Sequence, residues 1–280
     1  MSLYHFEKKS GKRGSAIEHI RYMMRAGSHA EREDLLSSGY GNMPGWAQGR
    51  PGLLFRISDK NERLNGCPYR VLTISLPQLL TPEQNAVLAN DLAWAMAGSK
   101  PFLYAVHLPI SSLGQESNPH VHVMICDRVP DGIERSPEQS FRRYNSADPA
   151  RGGWRKESGG MTRQELREKI LMERKLVADM INEALELHGH TERVDHRSLD
   201  DQGEQREPER YLGPARIRGM SEEEKHDYLS ARRERRNTSL RGAAIDSTSA
   251  PTFGERESSM RISDEFFVFG CGRLSGQGFS

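Results

Sequence analysis

A chain of 280 residues can bury a substantial core, and with 40 Lys and Arg against 39 Asp and Glu its formal net charge of +1 does not advertise a polyanion partner. No apolar run approaches the roughly 20 residues of a membrane span, and the first residues lack the apolar stretch of a secretory signal. Cys67, Cys126 and Cys271 are odd in number and widely separated, which excludes a disulfide framework or zinc ribbon and suits a reducing, cytoplasmic setting.

Leu3-Tyr4-His5-Phe6 alternates like a short strand and leads into a polar turn containing Lys8-Lys9 and Lys12-Arg13. Ser15 and Glu18 form a capping-box pattern and Gly27 a stop, predicting a helix over Ala16 to Ala26 with Ile17, Ile20 and Met24 as its apolar stripe. At about 100° per residue, Tyr22 falls opposite that stripe, on the side of Glu18, Arg21 and Arg25. Periodicity alone makes it an ordinary exposed tyrosine, although flanking arginines can hold a phosphate beside a phenol.

From Ala30 to Asn65 the chain is polar and Gly-rich, and reads as helix fragments and loop. Val71 to Leu76 is a predicted strand. Thr81-Pro82-Glu83-Gln84 opens the clearest helix, with Gly98 as its terminator.

Two apolar runs follow, Phe102-Leu103-Tyr104-Ala105-Val106-His107-Leu108 and His120-Val121-His122-Val123-Met124-Ile125-Cys126. Strand side chains alternate, so His120 and His122 project to one side while Val121, Val123 and Ile125 project to the other and can pack. Pairing the runs as a hairpin brings His107 beside His120. Any single histidine is more often an ordinary core or surface residue, but three converging imidazoles suit a divalent metal.

Beyond Arg128 a loop carries Arg135, Arg142, Arg143, Tyr144, Trp154, Arg155 and Lys156. Aromatics among cations suit single-stranded nucleic acid, since bases stack on rings while cations follow phosphates; an incidental surface loop is an equal reading of the composition. A long helix runs from Thr162, capped with Glu165, to His188, burying Leu166, Ile170, Val177, Met180, Ile181, Ala184 and Leu185. A compact polar segment then reaches from Val194 to Pro214. After Ser221 the chain is a charged helix containing Arg232-Arg233-Glu234-Arg235-Arg236, and from Arg241 a Ser/Gly/Thr-rich tail expected to be disordered. Composition gives no account of Glu265 to Gly270 within that tail.

Several blocks, in order, resemble the MobA/MobL relaxases of the HUH single-strand endonucleases. They include Leu3 to Phe6, Tyr22 before Arg25-Ala26-Gly27, Gly41-Asn42-Met43-Pro44, Leu76-Pro77, His107 and Asn118-Pro119-His120-Val121-His122. Further blocks are Asp131-Gly132-Ile133-Glu134-Arg135, Arg143-Tyr144-Asn145 with Gly152-Gly153, Val194-Asp195-His196-Arg197-Ser198-Leu199 and Leu212-Gly213-Pro214.

The resemblance implies an α+β fold in which a central antiparallel sheet flanked by helices carries the histidines, followed by a helical and partly disordered extension. It implies a relaxase domain over residues 1–215, a charged helical extension over 216–240 and a tail over 241–280. Tyr22 matches the nucleophile, and His107, His120 and His122 match ligands of a divalent ion, Mg²⁺ or Mn²⁺. Arg21, Arg25, Asn118, His196 and Arg197 join the loop cations and aromatics as expected DNA contacts. The implied partners are single-stranded DNA at a transfer origin, accessory mobilisation proteins and the coupling protein of a type IV secretion system.

One departure is visible, because relatives often carry an acidic residue on the strand matching Arg70 to Ile74 and this chain has none there; the expectation is a substitute such as Glu18 or Asp127, or a lower activity. A rolling-circle initiator normally places its tyrosine after the histidine strand. A histidine-triad hydrolase needs a third alternate histidine where Met124 stands. An accessory DNA-binding protein that keeps the fold without activity is the remaining rival.

Overall fold

The computed structural model describes residues 4–111, 113, 116–203, 212, 214–232 and 234. In chain order its elements are β1 (Phe6–Ser10), α1 (Ala16–Met23), β2 (Leu35–Gly41), α2 (Pro51–Asn61), β3 (Tyr69–Ser75), α3 (Pro82–Ala97), β4 (Phe102–His107) and β5 (His120–Cys126). They continue with β6 (Arg128–Val129), α4 (Pro137–Ser140), β7 (Arg155–Lys156), α5 (Arg163–Leu187) and α6 (Pro214–Gly219). Residues 222–232 are also helical, where the charged helix is expected. The tail from Arg241, with Glu265 to Gly270 and Cys271, lies outside the described residues, as do Leu3, Gly213, Arg233, Arg235 and Arg236.

Strands apolar on both faces belong in the middle of a sheet covered on both sides. β4 and β5 are of that kind and lie within a five-stranded sheet of order β1-β3-β5-β4-β2, antiparallel at every pairing. On one face, Leu72, Ile74, Val106, Val121, Val123 and Ile125 pack against Leu88, Leu92 and Met96 of α3 and Val177, Ile181 and Leu185 of α5. On the other, Val71, Leu103, Ala105, Met124 and Cys126 meet Ala16 and Met23 of α1, Leu54 and Phe55 of α2, and Phe141 and Trp154. The fold is α+β, with helices on both faces of a central antiparallel sheet.

The helices α3 and α5 form as expected, each with a complete capping box, Thr81 with Gln84 and Thr162 with Glu165. The buried stripe of α5 is confined to its second half. Ile170 near the start is 41% exposed.

Several expectations are corrected. The first strand is Phe6–Ser10, running through the anticipated lysine turn; an edge strand tolerates such charges, and Lys8 pairs at 2.7 Å with Glu173 of α5. The Ser15/Glu18 box does not form. Instead Asp59 of α2 accepts from the Gly14 and Ala16 amides, while the Ser15 hydroxyl lies 2.7 Å from the Tyr69 hydroxyl. α1 ends at Met23 rather than Ala26, because Arg25 adopts a left-handed conformation with φ 51°. Between Ala30 and Asn65, expected as helix fragments and loop, lie the strand β2 and the eleven-residue helix α2.

Candidate metal centre and tyrosine

The register of the sheet assembles the histidines. His107, the last residue of β4, is paired directly with His120, the first of β5, and His122 is flanked by Ala105 on one side and Thr73 of β3 on the other. All three imidazoles project from the face covered by α1, and one ring nitrogen from each lies within 4.8 Å of the others.

The remaining nitrogens are held by oxygen acceptors, which fixes which nitrogen of each ring faces inward. His107 Nε2 donates to the Met23 carbonyl at 2.7 Å and His120 Nδ1 to the Asn118 carbonyl at 2.9 Å. His122 Nδ1 lies 3.1 Å from the Thr73 hydroxyl. His107 Nδ1 and His122 Nε2 are buried without a hydrogen-bond partner among the described residues. Buried nitrogens left bare cost free energy unless something binds them, so the donor set fits a divalent cation, with three imidazoles leaving further coordination positions for oxygen ligands.

Burial keeps these rings neutral, the form that binds metal. It lowers His107 to about 4 and His122 to about 2, in the latter helped by the neighbouring His120 and His107; His120 is lowered as well, chiefly by burial.

Tyr22 is half-buried, not exposed, because the end of α1 lies over the histidine face. Its ring stands edge-on to His122 at 5.7 Å and to His107 at 6.1 Å between centroids, with His29 perpendicular to it at 5.4 Å. Arg25 lies over the same ring, 4.7 Å from its centroid, and grips Asp34 through Nε at 2.6 Å and Nη2 at 2.8 Å. Burial alone would raise the Asp34 carboxyl, but the hydrogen bonds and charge of Arg25 hold it below the usual carboxylate range. Arg32 is a second cation over the ring, at 5.9 Å.

The expected substitutes for the missing strand carboxylate lie differently. Asp127 sits past the far end of β5, held by Arg70 and Lys156 at 3.2 Å each. Glu18 is exposed on α1, 3.8 Å from His29. Near His107 the carboxylate is Asp34, which sequence reasoning missed along with Thr73, His29 and Arg32. Strand alternation offered a signal for Thr73, placing it on the face of Val71, whereas the others depend on the fold of the chain after α1.

The expected DNA contacts separate into two groups. Arg25 is buried in its pair with Asp34. Arg135 is buried, donating to the Gly152 and Pro149 carbonyls and to Asp131, and Trp154 is 4% exposed, stacked on Trp46 and edge-on to Phe141. These three hold the loop and α1 together and present little surface to a strand. Lys156 is likewise engaged, by the Cys67 carbonyl and Asp127. On the surface are Arg21, which pairs with Glu18, Asn118, Arg142, Arg143 and Arg155, with Tyr144 half-exposed. His196 and Arg197 form a separate cluster around Asp195.

Known proteins are similar to this chain in sequence and in fold. The family model described as "MobA/MobL family" matches residues 22–222. The chain is 37% identical over 210 residues to the "43 kDa relaxation protein" of Salmonella typhimurium, spanning 74% of this chain and 57% of that one. It is 36% identical over 222 residues to "Mobilization protein A" of Escherichia coli, spanning 76% of this chain and 30% of the relative. The chain thus covers about half or less of the length of these relatives. A solved structure reported under "Molecular Basis of Vancomycin Resistance Transfer in Staphylococcus aureus" shares the fold, with TM-score 0.51 and 19% identity, covering 70% of this chain and 100% of that one. With Tyr22 and the three histidines inside the matched segment, the chain belongs to the MobA/MobL family.

Proposed function

We propose that this chain is a plasmid-mobilisation relaxase whose Tyr22 nicks and rejoins single-stranded DNA at a transfer origin. The observation that carries the reading is the position of the Tyr22 ring, edge-on to two of three imidazoles whose bare nitrogens converge. The relatives' names, relaxation and mobilisation proteins, support the same class of activity.

A divalent ion held by His107, His120 and His122, Mg²⁺ or Mn²⁺, would supply Lewis-acid neutralisation of charge on the phosphate oxygens. The chain does the rest. The nucleophile is the Tyr22 phenol, and the exposed Arg32 over its ring is a cation placed to offset charge on the phosphate oxygens. The Tyr22 oxygen attacks phosphorus, the bond from phosphorus to the 3′-oxygen breaks, and the leaving oxygen takes a proton to become a free 3′-hydroxyl. The phosphotyrosyl ester conserves the broken linkage, so a 3′-hydroxyl attacking it restores the strand and frees the phenol. Accessory mobilisation proteins and a coupling protein are the partners such a reaction requires for transfer.

The test is a covalent adduct that survives denaturant, formed by the full chain with Mn²⁺ on an oligonucleotide carrying the cognate origin. Tyr22→Phe should abolish it; an adduct retained in that variant would overturn the assignment.

A further inference from the structure

The loop after the sheet, with Arg63 from the turn after α2, borders an open cavity of about 320 Å³ lined by Arg63, Arg128, Arg143, Tyr144, Arg155 and Lys156. Its floor is already neutralised. Arg128, 2% exposed, is held by Glu62 at 2.8 and 2.9 Å and by the carbonyls of Phe141, Arg142 and Trp154, while Lys156 is held by the Cys67 carbonyl and Asp127. The rim is not neutralised. Arg143 and Arg155 are exposed and have no acidic or carbonyl partner among the described residues, and the acid nearest Arg63, Glu62 at 3.9 Å, is the one gripping Arg128. Tyr144 contributes a half-exposed ring to the same cavity.

We propose that this cavity is a second nucleotide-holding site, taking a phosphodiester on Arg143 and Arg155 and an unpaired base of single-stranded DNA on the Tyr144 ring. The inference rests on the DNA reading of the tyrosine centre and extends it. A net positive rim without internal partners fits a phosphate anion, an aromatic wall fits a base of any sequence, and the volume lies at the lower end of ligand sites, about 300–1,000 Å³. A lone phosphate would leave the ring unused.

The position adds a geometric argument. From His122 to Cys126, the end of β5, the strand runs about 13 Å at ~3.3 Å per residue, and the chain then bends at Asp127 before Arg128. Phe141 and Trp154, beside the cavity, cover the face from which His122 projects. A strand held here and at the histidines is therefore anchored at two points near opposite ends of β5.

The test is fluorescence anisotropy with a labelled oligothymidine of about 16 nucleotides, bound by full chain carrying Tyr22→Phe in chelator, so that no cleavage intervenes. Arg155→Ala and Tyr144→Ala should each weaken binding about tenfold. Arg155→Ala should also flatten the salt dependence of log K by about 0.7, as expected for one lost phosphate contact. Arg155→Lys and Tyr144→Phe should restore most of the affinity. Unchanged affinity in both alanine variants overturns the proposal, as does displacement of the oligonucleotide by equimolar thymidine monophosphate, which would make this a free-nucleotide site. Neither result touches the Tyr22 adduct, so failure here is distinguishable from failure of the nicking reading.

Discussion

Arg25 is shared between Tyr22 and Asp34. Its guanidinium lies 4.7 Å from the centre of the phenol ring, its edge binds both carboxylate oxygens, and its Nη1 also donates to the Tyr22 carbonyl at 2.9 Å. The turn after α1 is thus tied to the ring it has just placed over the histidines, and the residue that ties it has φ 51°.

Removing one member of that pair should cost stability as well as activity. With Arg25 4% and Asp34 17% exposed, Arg25→Ala strands a carboxylate beside His107, and urea unfolding at pH 7 should show a loss of about 2–4 kcal/mol. Asp34→Asn keeps a hydrogen-bond acceptor and should cost less, about 1–2 kcal/mol. Equal losses in the two variants would mean that charge plays no part in holding the turn.

Calorimetric titration with Mn²⁺ should show one ion per chain, and His120→Ala or His122→Ala should remove the binding isotherm. Thr73→Val keeps the ligands but leaves His122 Nδ1 without its oxygen, and should weaken the ion about 10–100-fold with little change in fold. Full retention of affinity in Thr73→Val would separate the hydroxyl from the site.

In metal-free protein the same histidines should set an acid limit. His107 titrates at about 4 and His122 at about 2 when folded, against about 6.5 for a free imidazole. Above pH 6.5 both states are neutral and the groups contribute no slope. As pH falls below that, the unfolded chain takes protons that the native state refuses, so stability falls. The expected slope is about 1.4 kcal/mol per pH unit for each histidine, continuing to about pH 4 for His107 and lower for His122. Chemical denaturation across pH 4–7 should show this fall, reduced in His107→Gln; an unaltered slope in that variant would assign the acid sensitivity elsewhere.

The buried ion pair of Arg128 with Glu62, each side chain 2% exposed, holds the loop that carries Phe141 and Trp154. Glu62→Ala leaves a guanidinium buried without a carboxylate and should destabilise the chain by about 3–5 kcal/mol. Thermal unfolding followed by tryptophan fluorescence would report it, since Trp154, stacked on Trp46, is tied to Arg128 through its carbonyl.

The two histidine strands were legible in sequence because period-two alternation is a local property, as were α3 and α5 because each announces itself with a cap. β2 was not legible. Ser37, Ser38, Gly39 and Gly41 read as loop, yet the glycines are required by the neighbouring strand, where a Cβ at Gly39 would come within 2.7 Å of the Tyr104 ring and one at Gly41 within 2.5 Å of Phe102. For the same reason the histidine triad could be found from spacing while the surroundings of Tyr22 could not. Helical periodicity put that ring opposite the apolar stripe, as though facing solvent, but the layer it faces is supplied by β4, β5 and the residues around Asp34.

The direct pairing of His107 with His120 makes the centre a matter of parity. A one-residue slip in the register of β5 would turn His122 toward Leu88 and Leu92 and offer a valine to the ion in its place, while the composition of the strand stayed the same. The connection between the two strands carries no such constraint. Up to Asn118, whose carbonyl orients the His120 ring, it can change length without moving any of the three imidazoles.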